Sequence, residues 1–242
     1  MPKYVIFSIA FIIFSTNSMA MQAFKVVVGL SKPPYVIEES RLGFELELIR
    51  QVLTNIGKEA QFIFIPYGRS EKMLDLPDID AVITVNQQMF PNSKNLSETY
   101  INYQNVAISL KSRAVELNSI ADISSYSIAS FQLADKVLGK EFALAVTSSP
   151  VFTQVANQKK QVELLLLGRV DILVMDIKIF LHYLRELNQG EQASAVKIHH
   201  IFPLSPYRVA FKSSEDVSAF NLAMKKYKFS INYQKLLDKY NF

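Results

Sequence analysis

The hydrophobic pattern of this chain keeps switching period, and that switching restricts its fold more than any other feature. Phe24 to Gly29 is a short apolar run with strand character. It leads through a Pro33-Pro34 turn into a stretch where Phe44, Leu48, Val52 and Ile56 recur at helical spacing, ended by Gly57. Gln61 to Ile65 returns to strand, about Ser70 to Leu76 forms a short helix, and Ala81 to Val85 is again a strand. Strands that alternate with helices in this way build a mostly parallel sheet with helices on its faces.

Beyond a polar loop, Phe90 to Thr99, the segment Asn105 to Lys111 reads as an extended strand that leads into a second α/β unit. There Ser127 to Ser130 is a strand, Ala134 to Ala145 and Val151 to Leu167 are mainly helical, Asp171 to Met175 is a buried strand, and Ile177 to Leu187 is an amphipathic helix. Val196 to Phe202 and Tyr207 to Phe211 are extended, and helices at about Glu215 to Tyr227 and Tyr233 to Tyr240 close the chain. Neither unit has enough strands for a comfortable sheet if the chain is simply cut in two. If the last stretch returns to the first unit, that unit gains two helices, and the segments near Lys111 and Ile201 become paired crossovers. The expected organisation is therefore a two-lobed α/β protein, each lobe a mostly parallel sheet flanked by helices. Residues 21–110 and 200–242 form lobe one, and 111–199 form lobe two. Open α/β sheets bind ligands outside the carboxyl ends of their strands, so two facing lobes place a site in the cleft between them.

Composition narrows the chemistry of that cleft. Of 242 residues, 50% are hydrophobic and 20% charged, which is the balance of a globular chain rather than a disordered one. Zero cysteines exclude a disulfide framework, a thiol nucleophile, thiolate metal sites and a lipid anchor on an N-terminal cysteine. Neither a dinucleotide fingerprint nor a P-loop pattern occurs, and Gly-x-Ser-x-Gly is absent. The formal charge of +4 is dispersed among interleaved acids, unlike the basic stripe of a nucleic-acid binder. His182 falls in a predicted helix, and His199 and His200 point to opposite faces of a predicted strand, so they cannot readily share a metal. No cofactor or metal is expected.

Residues 1–20 read as an address. Lys3 supplies charge, Val5 to Phe14 is apolar except for Ser8, and Ser18-Met19-Ala20 places small residues where a signal peptidase needs them. Cleavage after Ala20 is expected, with an uncleaved N-terminal anchor as the alternative. The working part then lies outside the cytoplasm, and the bacterial periplasm fits a chain without disulfides.

The order of motifs resembles the type II periplasmic solute-binding proteins, in the branch that serves polar amino acid uptake. The matching pieces are Gly29-Leu-Ser-Lys-Pro-Pro-Tyr35, Leu42-Gly-Phe-Glu-Leu-Glu47, Asp78-Ile-Asp80-Ala, Leu96-Ser-Glu-Thr-Tyr100, Leu167-Gly-Arg-Val-Asp171 with Asp176 beyond it, and Leu236-Leu-Asp-Lys-Tyr240. The resemblance implies a monomer that closes on a small ligand by hinge motion, with an ABC-type permease as partner. It also implies that an acid at the position of Asp176 holds the ligand ammonium, a charge-assisted contact suited to a closed, water-poor cleft. An N-cap of the following helix would equally explain Asp176, and the two roles are compatible.

The sequence departs from the family where the ligand carboxylate is normally gripped. Thr84, placed at the ligand site by the resemblance, is followed by Val85-Asn-Gln-Gln-Met-Phe-Pro-Asn92, with no arginine before Arg113. The family's Gly-Thr at the start of a lobe-two helix is replaced by Leu133-Ala134. Arg69 is the best substitute, the alternative being an exposed first-turn arginine, and Gln132, with Gln87 and Gln88, could instead read a neutral polar group. Tyr35 matches a cleft position where a ring packs on the ligand, while Tyr67 and Phe131 are expected to serve in packing. Two other readings stay open: an orphan binding module feeding a sensor, and a cleft enzyme using an acid such as Glu38, Glu45 or Glu98.

Overall fold

The computed structural model describes residues 21–91, 93–187 and 194–242; the expected signal peptide, 1–20, lies outside them. In chain order the first sheet receives β1 (Gln22–Gly29), then α1 (Phe44–Thr54), β2 (Lys58–Ile65), a 3-10 segment (Tyr67–Asp75), β3 (Ala81–Val85) and β4 (Ile101–Tyr103). The second sheet takes β5 (Asn105–Leu110), β6 (Ile128–Phe131), α2 (Ala134–Val137), α3 (Lys140–Thr147), β7 (Phe152–Val155), α4 (Gln158–Leu166), β8 (Ile172–Asp176), α5 (Ile177–Glu186) and β9 (Val196–His199). The chain then returns through β10 (Ser205–Phe211), α6 (Ser214–Lys228) and α7 (Ile231–Tyr240).

Lobe one is a five-stranded mixed sheet in the order β2-β1-β3-β10-β4, and lobe two has the order β7-β6-β8-β5-β9. β1 runs parallel to β2 and β3, whereas β10 enters antiparallel between β3 and β4. β3 and β8 are central strands with every residue buried. This accounts for their unbroken apolar runs, since both faces are covered by helices. The apolar stripe of α1 buries Leu48, Ile49 and Val52 on the sheet, and α6 adds Phe220.

Three sequence expectations need correction. β5 pairs antiparallel with both β8 and β9, so residues 105–110, expected to finish lobe one, form an inner strand of lobe two. The first crossover therefore falls at Gln104, and the second spans residues 200–204. The helix expected from Ala134 to Ala145 is two helices, broken where Gly139 adopts φ 90°, a conformation open to glycine at little cost. The helix expected from Val151 begins as β7, paired parallel with β6, because Phe152, Thr153 and Val155 suit a pleated edge. Helix starts only at Asn157, whose side chain accepts from the Lys160 N–H.

Candidate ligand-binding site between the lobes

The carboxyl ends of β1, β3, β6 and β8 converge on a cavity of about 40 Å³ between the lobes, room for a few water molecules. Lobe one contributes Lys32, Tyr67 and Thr84, and lobe two contributes Phe131, Gln132 and Asp176. The strands next to the two crossovers add Tyr103, Asn105 and Tyr207 to its lining. Gln104 Nε2 donates to Phe202 O (3.1 Å) and Asn105 Nδ2 to Ser205 Oγ (2.9 Å), so the segments that join the lobes are tied to each other.

Asp176 ends β8 and caps α5. Its Oδ1 accepts from the backbone N–H groups of Lys178 (2.8 Å) and Ile179 (3.2 Å), and its Oδ2 accepts from the Gln104 N–H (2.9 Å) and the Tyr35 hydroxyl (3.2 Å). Four acceptor positions is about what a carboxylate has. The residue is 2% exposed, and burial raises its pKa to about 6 against the opposing pull of those donors. Among the described residues no lysine, arginine or histidine forms an ion pair with it.

Facing it from lobe one is a buried polar network. Lys32 Nζ donates to Thr84 Oγ1 (2.7 Å) and lies 3.3 Å from Glu45 Oε2. Glu45, fully buried, also accepts from the hydroxyls of Thr84, Tyr100 and Tyr103. Burial lowers the Lys32 pKa, opposed by Glu45 and more weakly by Asp176. The turn that carries Lys32 is fixed to α1 by backbone contacts, since Pro34 O and Tyr35 O accept from the N–H groups of Phe44 and Glu45. These carbonyls take the place of a side-chain N-cap. Thr84 adopts φ 59° at the end of β3, uncommon for a β-branched residue. It is held there by its N–H on the Tyr100 hydroxyl, its carbonyl under the Tyr67 hydroxyl, and its own hydroxyl between Lys32 and Glu45.

Of the five site residues expected from the sequence, Thr84, Gln132 and Asp176 line the cavity. Gln132 Oε1 accepts from the Gly68 N–H across the cleft at 3.1 Å. Tyr35 sits one layer behind, stacked on Tyr103 with ring centres 3.9 Å apart, and reaches the cleft only through its hydroxyl on Asp176. Arg69 is exposed and outside the lining. Tyr67 and Phe131, expected in packing, are cavity walls, while Gln87 turns back onto Phe90 O and Pro91 O. Lys32 and Glu45 were not distinguished as a pair. Helical periodicity placed Glu45 off the apolar stripe of α1, which is the signature of a solvated residue, and it is buried by the turn above the helix start together with Thr84, Tyr100 and Tyr103.

A wider groove of about 660 Å³ shares Leu30 with the cavity and is bordered by Glu38 and Glu39 of lobe one and Lys159, His182 and Glu186 of lobe two. Lys159 pairs with Glu186 at 2.8 Å. Further cross-lobe contacts join Lys136 to Glu71 (2.9 Å), Asn86 Nδ2 to Val137 O (3.3 Å) and Tyr183 to Ser31 O (3.3 Å). Among the described residues there is no cluster of three or more histidine, aspartate or glutamate side chains placed to hold a metal, and no helix long and apolar enough to cross a membrane.

No protein-family model and no curated protein matches the sequence. Solved structures do match the fold. An ancestral arginine-binding protein bound to arginine superposes with a TM-score of 0.75 at 19% identity, covering 91% of this chain and 99% of that one. The sensor domain of a histidine kinase with similarity to periplasmic binding proteins reaches 0.75 at 14% identity, covering 91% and 96%. An ancestral amino acid-binding protein described as a precursor of cyclohexadienyl dehydratase reaches 0.73 at 17% identity, covering 92% and 96%. With two mixed sheets, two crossovers and a cleft at the strand ends, the chain is built on the type II periplasmic-binding-protein fold, as a divergent example of it.

Proposed function

We propose that this chain is a periplasmic solute-binding protein that captures a small polar, amine-bearing solute in the interlobe cleft and presents it to an ABC-type importer. The observation that carries this reading is Asp176, a buried carboxylate that pairs with no cationic side chain among the described residues, set at a strand end beside the crossover between two lobes. A ligand that contacts both lobes only in the closed form favours closure, and a permease can read that form. The amino acids bound by fold neighbours agree in kind, and they speak to the fold rather than to this cleft.

Thermal unfolding of the exported protein against amino acids, amines, polyamines, small peptides and organic acids tests the proposal, with Asp176→Ala measured alongside. A ligand at 100 times its Kd stabilises the native state by about 2.7 kcal/mol. A stabilising hit lost in Asp176→Ala is the expected result; conversion of the added compound during incubation would replace binding with catalysis. Delivery to a membrane sensor uses the same cleft, and co-purification with a permease distinguishes the importer.

A further inference from the structure

We infer that the solute is a small primary amine without a carboxylate, a monocation rather than an amino acid. This inference rests on the binding-protein reading and names its ligand class.

The charges at the cleft are the first argument. Lys32 is already matched by Glu45, and two of its three N–H bonds go to Thr84 and Glu45. Glu45 in turn accepts from three hydroxyls besides Lys32. Neither partner lacks a counter-charge. Asp176 has no ion-pair partner among the described residues, Lys32 reaching it only through a weaker attraction, and the four donors to Asp176 are three backbone N–H groups and one tyrosine. Buried charges are ordinarily paired, so Lys32, Glu45 and Asp176 together leave one negative charge for a ligand to cancel. A monocation cancels it. A zwitterion leaves it in place and adds a carboxylate beside Glu45 and Asp176, with no free guanidinium to receive it, since Arg69 lies outside the lining.

The acceptors are the second argument. Gln158 lines the cavity, and its Oε1 is buried without a hydrogen-bond donor among the described residues. The Tyr35 hydroxyl sits 3.2 Å from Asp176, long for an O–H to oxygen hydrogen bond, so it is the donor most easily displaced. An ammonium entering the cavity brings three N–H bonds, enough to take that position on Asp176 and to satisfy Gln158. The remaining N–H of Lys32 suits a neutral oxygen such as a hydroxyl.

The approach is the third. In the outer groove Glu38, Glu39 and Glu186 outnumber Lys159, and burial lowers the His182 pKa, which keeps that ring neutral at pH 7. Acidic walls raise the local concentration of cations.

The test compares compounds that differ only by the α-carboxylate: ethanolamine with serine, isobutylamine with valine, and isoamylamine with leucine, by calorimetry on the exported protein. The amine should bind at least about tenfold tighter in one or more pairs, a difference of about 1.4 kcal/mol. Amino acids that bind as tightly or tighter in every pair would overturn the inference while leaving the binding-protein reading intact; silence from all six would count against both. Glu45→Gln supplies a second arm, because it frees the Lys32 charge and should shift preference toward the amino acid by about tenfold or more. If that variant does not fold, Asp176→Asn, checked by circular dichroism, should abolish the amine preference.

Discussion

Asp176 and Lys32 show opposite ways of keeping a charge out of water. Asp176 relies on backbone dipoles at the start of α5, and Lys32 on a carboxylate partner. The Asp176 carboxyl titrates near pH 6 in the folded chain against an ordinary 3.8. Between those values the folded chain holds a proton that the unfolded chain has released, so this residue's contribution to stability falls as pH rises and is fully lost above pH 6. The difference is about 3 kcal/mol. Subtracting the stability curve of Asp176→Asn from that of the parent, by urea unfolding from pH 4 to 8, should expose this slope. A flat difference would mean the carboxyl titrates normally. Amine affinity should run the other way, weakening as pH falls through 6, because the ammonium needs the ionised form. For the pair, Lys32→Met should cost about 3 kcal/mol by leaving Glu45 without its cation. Lys32→Met combined with Glu45→Gln should cost less than the sum by about 1 kcal/mol or more; strict additivity would show that the two charges do not interact. The N-cap role of Asp176 was legible in the sequence from its place between an apolar strand and a helix, whereas its expected ligand role came from the family resemblance. Glu45 was not, since its burial comes from the Lys32 turn and from Thr84, Tyr100 and Tyr103, all outside any pattern in α1.

At the scale of elements, the Pro33-Pro34 turn and α1 act as one unit. Gly43 adopts φ 125° directly before the helix, and a Cβ there would lie 2.3 Å from Tyr35 O. That oxygen is the acceptor for the Glu45 N–H, so it has nowhere to go. Gly43→Ala should therefore destabilise by more than about 2 kcal/mol, whereas Gly139→Ala, with nothing within 4 Å of the added carbon, should cost only about 1 kcal/mol of backbone strain. Chemical denaturation of the two variants side by side checks the ranking. The long helices and central strands could be read from periodicity because each buries one stripe or two full faces. β4 and β7 could not: β4 is three residues long and β7 is a half-exposed edge, and their identity comes from the strands they join. The position of β5 was misjudged for a related reason, since a strand beside a crossover looks the same whichever sheet it enters.

The whole molecule is closed by its own contacts. Tyr35 to Asp176, Glu71 to Lys136 and Gly68 to Gln132 all cross the cleft. Tyr35→Phe combined with Lys136→Ala should widen the cleft, seen as a larger radius of gyration in small-angle X-ray scattering that shrinks again on adding ligand. No change in radius would mean that the crossovers alone set the angle between lobes. The sheet order has one more consequence, for the assembly of the chain. Lobe two is a single stretch from β5 to β9, but β10 must slide between β3 and β4 before lobe one is complete. Domains tend to fold as their residues emerge; here the middle of the sequence is ready first, and β1 to β4 must wait for a strand made long after them. Translation thus yields a partly finished molecule in which β1 to β4 stay open longest. A chaperone that guards it has its main work there, on the apolar faces of β3, until β10 arrives.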